Sequence, residues 1–319
     1  DWQRLAAALR DYDPKAYLLT MITKGKGHAK QILQALAPLD QHDMLVVVGG
    51  DGFVFEVLQA LRSAKIPFEK LPICVVPSGT GNGIAASMGV RAVSDAGDAL
   101  VGGLVKPLDL MKVTLRCGST GRSREVMAAL SVGWGWIADR DYLSGCVMRW
   151  MGPARLWMAP LTVLWRDRSY EGSLTMKLAP GCEQTAVRGK HNVDDSGRIV
   201  LRDIFHVVHI CNLPWIASDA LLSPSSRPDD GAMGVLIMRQ NGPARVPPRA
   251  MVSTFLNFES GSHAKLPYCE LYWATHVTLE PALGDRRPVG SITIDGEAFG
   301  YPSCVEIECA PSAARICSL

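Results

Sequence analysis

Asp51 stands in Gly49-Gly50-Asp51-Gly52, directly after the apolar run of residues 45–48 and ahead of a helix-like stretch. Glycines let a backbone approach a ligand closely, and the free N–H groups at a helix start attract anions such as phosphate. An acid among those groups would repel phosphates. It suits a group that takes a proton from an attacking hydroxyl, or one that meets phosphates through a metal ion. Asp is also a favoured helix cap, which is the other reading of Asp51. A second turn, Ser78-Gly79-Thr80-Gly81-Asn82, follows the apolar run 73–76 and opens another helical stretch. It lacks the Lys-Ser/Thr of a P-loop and is not GxGxxG. A bland strand–helix turn needs one glycine, so two flanking a threonine point to a phosphate or nucleotide contact.

Further candidates lie downstream. Asp295-Gly296-Glu297 follows the run 291–294, where Asp-Gly also reads as an ordinary two-residue hairpin turn. Asp139 and Asp141 sit in Trp134-Gly135-Trp136-Ile137-Ala138-Asp139-Arg140-Asp141, and taken alone they read as a solvated loop. Arg149 and Arg155 could clamp phosphate, because guanidinium forks match phosphate oxygens, or they could form a solvated face. His206 and His209 are three apart, so a strand would send them to opposite faces and deny them a shared metal. The nine cysteines form no CxxC pair and read as reduced thiols of a cytosolic protein, with no zinc site expected.

These residues need elements to hold them. Before residue 106, all-apolar runs alternate with helical stretches, which predicts parallel strands buried on both faces and covered by helices. Ligands of such sheets bind beyond the carboxyl ends of the strands, where both glycine turns fall. From residue 107 the period changes to two, clearest where Leu271, Trp273, Thr275, Val277 and Leu279 alternate with their neighbours. That predicts antiparallel strands with one buried face. The expected fold is α/β in two lobes: a doubly wound α/β domain over 1–106, then an antiparallel, sandwich-like β domain over 107–319. The active site is expected in the cleft between them. The last residues are expected to return to the first lobe.

The sequence Val46-Val47-Val48-Gly49-Gly50-Asp51-Gly52, followed by Pro77-Ser78-Gly79-Thr80-Gly81-Asn82, resembles the diacylglycerol kinase catalytic-domain superfamily. Within it, the segments 134–141 and 149–155, Tyr170-Glu171-Gly172, Asn212-Leu213-Pro214-Trp215 and Ile294-Asp295-Gly296-Glu297 resemble the sphingosine (long-chain-base) kinases. The resemblance implies transfer of the ATP γ-phosphate to the primary hydroxyl of a sphingoid base, with ATP and Mg2+ as cofactors. It implies Asp51 as general base, with Gly50 and Gly52 beside the lipid. Nucleotide contacts would come from Thr23, Gly49, Glu56, Gly79, Thr80, Gly81, Arg149, Arg155, Asp295, Gly296 and Glu297. Asp141 would pair with the substrate ammonium, Ser131 would lie near the polar head, and Trp136, Ile137, Leu156 and Leu161 would line the tail cleft. A cationic amine needs an anionic partner in a poorly hydrated site, so Asp141 favours a long-chain base over the alternatives, ceramide and diacylglycerol. An inactive lipid- or nucleotide-binding fragment is the rival from another class. The superfamily's opening strand and its Asn-Pro-Gly-Gly-type turn are not found, so the chain is expected to be truncated inside the first helix, with an exposed sheet edge or gap.

Composition bounds the rest. The 319 residues favour two domains, and 33 basic against 31 acidic side chains remove the simplest nucleic-acid reading. No apolar run reaches membrane-spanning length. The expected setting is cytoplasmic, with transient peripheral contact to the membrane surface that holds the lipid.

Overall fold

The structure, a computed structural model, describes residues 2–36, 39, 41–102, 104–118, 121–142, 169–182, 193–247, 250–282 and 289–319. The chain opens with α1 (Trp2–Tyr12) and α2 (His28–Leu36). The strands β1 (Leu45–Gly49) and β2 (Ile73–Pro77) then pair in parallel, in register from Leu45↔Ile73 to Gly49↔Pro77. Between them runs α3 (Asp51–Ser63), which buries Val54, Phe55, Val57, Leu58, Ala60 and Leu61 along one stripe. Each of the larger side chains, Val, Leu or Phe, contributes roughly 1.5–3 kcal/mol when fully buried. The helix stops where Lys65 turns left-handed (φ 57°) and Ile66 N–H reaches back to Leu61 O at 3.0 Å, a Schellman-type end. The short α4 (Gly83–Ser87) and α5 (Val93–Gly102) complete the first lobe.

The β-rich lobe follows through β3 (Val105–Arg116), β4 (Ser123–Ala128), β5 (Ser131–Gly135), α6 (Trp136–Tyr142), β6 (Tyr170–Leu178) and β7 (Arg198–Cys211). After the small hairpin β8 (Trp215–Ala217) and β9 (Ala220–Leu221) come β10 (Met233–Arg239), α7 (Ala250–Leu256) and β11 (Glu270–Pro281). The hairpin β12 (Ile292–Ile294) and β13 (Glu297–Gly300) and the strand β14 (Cys304–Cys317) end the chain. β6 pairs with both β7 and β11, so β6, β7, β10 and β11 close on themselves around a core. Trp134 packs there with ring centroids 5.7 Å from both Tyr170 and Phe205. The alternation read in residues 271–280 is β11, with Tyr272, Ala274, Val277 and Leu279 buried.

The two lobes share one sheet. β14 pairs antiparallel with β11 and β3, shifts register between Ala310 and Ala314, and then meets β2 in parallel at Ile316↔Ile73. Ser312 sits at the shift with φ 50°, and its N–H is held by Asp109 Oδ1 at 2.6 Å. A bulge of this kind re-aims a strand, and here it carries the C-terminal strand into the first lobe.

β1 forms the other end of that sheet. Residues 17–23 run alongside without secondary-structure pairing, across an apolar cavity of about 410 Å³ lined by Leu33, Leu45, Val47 and Phe53 among others. Tyr17 and Ile22 are 82% and 83% exposed. Among the described residues no helix is long and apolar enough to cross a membrane.

Candidate active site

In-register pairing of β1 with β2 delivers both glycine turns to one sheet edge. Gly49 O accepts the Ser78 N–H at 3.1 Å, and the turns touch backbone to backbone. A Cβ on Gly50 would lie 2.9 Å from Gly79 Cα, so only glycines fit this close approach. Asn82 takes a left-handed conformation (φ 56°), and its side chain closes the second turn. Its Oδ1 accepts Gly79 N–H and its Nδ2 donates to Gly79 O, both at 2.8 Å.

Asp51 is the first residue of α3, and Gly50 occupies that helix's cap position. The Asp51 carboxylate reaches across to the start of α4, accepting Gly83 N–H on Oδ2 and Ile84 N–H on Oδ1, both at 3.0 Å. It therefore caps a neighbouring helix, not its own. Gly81 passes close above it, where a Cβ would stand 2.9 Å from Oδ2. Burial raises the Asp51 carboxyl above the ordinary carboxylate range, opposed by the Ile84 and Gly83 N–H groups.

The second lobe brings Asp295 to the same place. Asp295-Gly296 forms a two-residue hairpin turn between β12 and β13, with φ 47° and 77°. The side chain points inward, 1% exposed: Oδ2 accepts Ala129 N–H at 2.8 Å, and Oδ1 accepts Leu130 and Ser131 N–H at 2.9 Å. Burial pushes this carboxyl up to about 7, and the charge of Asp51 adds to the rise. Glu297 lies against Gly52, whose Cβ would be 2.9 Å from Oε1, while Oε2 accepts Lys26 Nζ at 2.5 Å.

Other sequence candidates fall around this centre. Ser131 is buried beside Asp295. Glu56 accepts Ala29 N–H at 3.1 Å and so caps α2, whose preceding loop carries the half-buried Thr23. Thr80 is exposed at the turn. Trp136 and Ile137 are buried with Leu236, Met238 and Phe258. Asp141 belongs to α6, and its side chain lies outside the described residues, as do Arg149, Arg155, Leu156 and Leu161. Among the described residues no three His, Cys, Asp or Glu side chains converge as a metal cluster.

The segment that begins at Asn212-Leu213-Pro214-Trp215, noted in the sequence only for its resemblance, grips the second turn. Ser218 N–H donates to Gly81 O at 2.7 Å, Arg91 lies 4.4 Å from the Trp215 ring centre, and a Cβ on Gly83 would strike Ile216. Asn212 anchors this segment by donating to Asp109 O and Ala129 O at 2.7 and 2.9 Å. Lys26, set between Gly25 and Gly27, was missed by sequence reasoning. Its flanking glycines were the visible signal.

Two glycine turns on a parallel edge, faced by a hairpin from a β-rich lobe, agree with the family matches. Residues 2–113 match the Diacylglycerol kinase catalytic domain, and residues 188–318 match the YegS C-terminal NAD kinase beta sandwich-like domain. The first lobe is thus diacylglycerol kinase-like, and the β-rich lobe contains a region like the YegS C-terminal domain. Among such proteins the chain resembles the sphingosine kinases. It is 28% identical over 306 residues to Sphingosine kinase 1 of Arabidopsis thaliana, covering 87% of this chain and 60% of that one. Sphingosine kinase 2 of the same plant is likewise 28% identical over 306 residues, covering 87% and 61%. The chain therefore spans about 60% of the length of these curated relatives. A diacylglycerol kinase structure from Bacillus anthracis str. Sterne superposes with a TM-score of 0.63 at 16% identity, covering 100% of this chain and 92% of that one, which speaks for the fold alone.

Proposed function

We propose that the chain is an ATP-dependent lipid kinase that phosphorylates the primary hydroxyl of a sphingoid base. The carrying observation is the Asp51 carboxylate, held between two glycine turns that approach too closely for any side chain. Phosphoryl transfer needs chiefly positioning and charge stabilisation. The bare turns offer backbone to the nucleotide's phosphates, with Gly79, Thr80 and Gly81 on one side and Gly49, Gly50 and Gly52 on the other. Burial raises the Asp51 carboxyl above the ordinary carboxylate range, the direction that suits a group accepting a hydroxyl proton.

The two turns meet as bare backbone, with no side chain to keep a nucleotide phosphate at a distance. Asp51 would supply a carboxylate oxygen of the kind that magnesium accepts, with the rest from phosphates and water, whereas both Asp295 oxygens are taken by backbone N–H groups. When bound, the ion would neutralise phosphate charge. Asp295 and Glu297 would hold the nucleotide side of the cleft, with Arg149 and Arg155 completing the phosphate contacts. Asp141 on α6 would receive the lipid's ammonium, which supports a sphingoid base over ceramide or diacylglycerol. A lipid of this type is drawn from a bilayer, so the site works at a membrane surface, reached from the cytoplasm.

The test is transfer of labelled phosphate from ATP to sphingosine, ceramide and diacylglycerol presented in mixed micelles, with ATP binding measured separately. Phosphorylation of sphingosine well above the other two is expected. ATP binding without transfer to any lipid would leave the binding-fragment reading standing instead.

A further inference from the structure

Asp139 is a buried acid that the chemistry above does not use. It lies on α6, two residues before Asp141, and is 6% exposed. Its carboxylate is clasped from two separate strands. Tyr170, at the start of β6, donates its hydroxyl to Oδ2 at 2.6 Å. Ser291, just ahead of β12, donates both its hydroxyl and its N–H to Oδ1, at 2.8 and 3.1 Å. Tyr170 and Ser291 are themselves fully buried.

Ser291 opens the segment that ends in Asp295. β12 pairs with β5 through Ile292↔Trp134, Thr293↔Gly133 and Ile294↔Val132, and β5 leads directly into α6. The far end of this pair is closed by Asp295 itself, which donates its N–H to Ser131 O at 2.8 Å and accepts Ser131 N–H at 2.9 Å. The near end is closed by Asp139 on Ser291. The β5–α6 unit is thus fastened to the Asp295 hairpin at both ends, by a carboxylate each time. Apolar packing of Trp136 and Ile137 seats α6 on the lobe, but apolar contact is non-directional and leaves a short helix free to rotate. Two carboxylate oxygens held by two different strands remove that freedom.

We infer that Asp139 is a positioning residue: through Tyr170 and Ser291 it fixes the rotation and depth of α6 relative to Asp295, and so sets where the helix presents the lipid's amino head to the transferring phosphate. The inference rests on the proposed function and extends it to a residue that need not touch either substrate. Small misplacements of a reacting group are costly to catalysis, so freeing α6, the element that carries Asp141, is expected to act first on the lipid and less on the nucleotide.

The experiment compares Asp139→Asn, Tyr170→Phe and Ser291→Ala with the parent chain, reading KM for sphingosine, KM for ATP, melting temperature and amide hydrogen exchange over residues 136–142. The last two substitutions remove single hydroxyls and guard against misfolding of the first. Expected is a rise in KM for sphingosine of about tenfold with KM for ATP within about twofold, together with faster exchange in α6. A fall in melting temperature with both KM values unchanged would make Asp139 a scaffold residue and overturn the inference. So would unaltered exchange in α6, whatever the lipid kinetics. Failure of the parent chain to phosphorylate sphingosine while exchange responds would overturn the sphingoid reading and the lipid role of the clasp, leaving only its hold on α6.

Discussion

A methyl group on Gly79 would stand 2.5 Å from the Cα of Gly50. The obstacle is backbone, which cannot swing aside as a side-chain tip can. Gly79→Ala should therefore push the second turn off the first, at a cost of about 1–3 kcal/mol in stability. ATP binding should be lost to a greater degree than stability. Thermal unfolding and nucleotide titration of the same sample check both, and unimpaired binding would show that the close approach is dispensable.

Asp51→Asn should reduce phosphoryl transfer by about 10²–10⁴-fold, the usual worth of a positioned base. The substitution is not structurally silent here, because both carboxylate oxygens accept backbone N–H groups of α4. An amide nitrogen would face one of them, leaving a donor unpaired at about 1–3 kcal/mol. Turnover and urea unfolding separate the two effects. Near-normal turnover in a folded variant rules out the base role.

Asp295 gives stability a pH dependence with an unusual sign. Its folded carboxyl is raised from 3.8 to about 7, so the folded chain holds this proton more tightly than the unfolded chain. The contribution is fully present below the unfolded value and is lost as pH rises through about 7. Melting temperature should decline between about pH 4 and 7 and level off above, and Asp295→Asn should flatten that decline. A slope rising with pH in the parent chain, or one untouched by the substitution, would contradict the assignment.

Arg239 lies buried between Asp203 and Glu270, with its Nη1 2.9 Å from Asp203 Oδ2 and its Nε 2.7 Å from Glu270 Oε1. Tyr272 also donates its hydroxyl to Glu270 at 2.6 Å. Arg239→Ala would strand two carboxylates in the β-rich lobe, so a loss of about 3–5 kcal/mol is expected. Urea denaturation measures it. A loss under about 1 kcal/mol would mean that water reaches the two acids.

The local code of this chain is explicit in its residues. The all-apolar run at 73–76 is buried on both faces, as its pattern implies. The run at 45–48, at the end of the sheet, buries only Val47 and leaves Val48 37% exposed. The alternation of 271–280 changes its buried face at the irregularity between Ala274 and His276. Strand types, most turns and the two-lobed α/β architecture follow from those periods, which are short-range properties. The glycine turns also announce themselves, because no other residue is so placed without a reason. Tertiary structure decided which distant groups meet. Nothing local says that Asp51 caps α4 and not its own helix, since that depends on the register of β1 against β2. Nothing local turns the Asp295 side chain inward from an ordinary hairpin, or buries Asp139 under Tyr170 and Ser291. Those contacts join residues more than 150 positions apart in the cases of Asp295 with Ala129 and Asp139 with Ser291. They form because β12 pairs with β5 inside the β-rich lobe, and a carboxylate is hydrogen-bonded by whatever N–H and O–H groups that pairing brings to it.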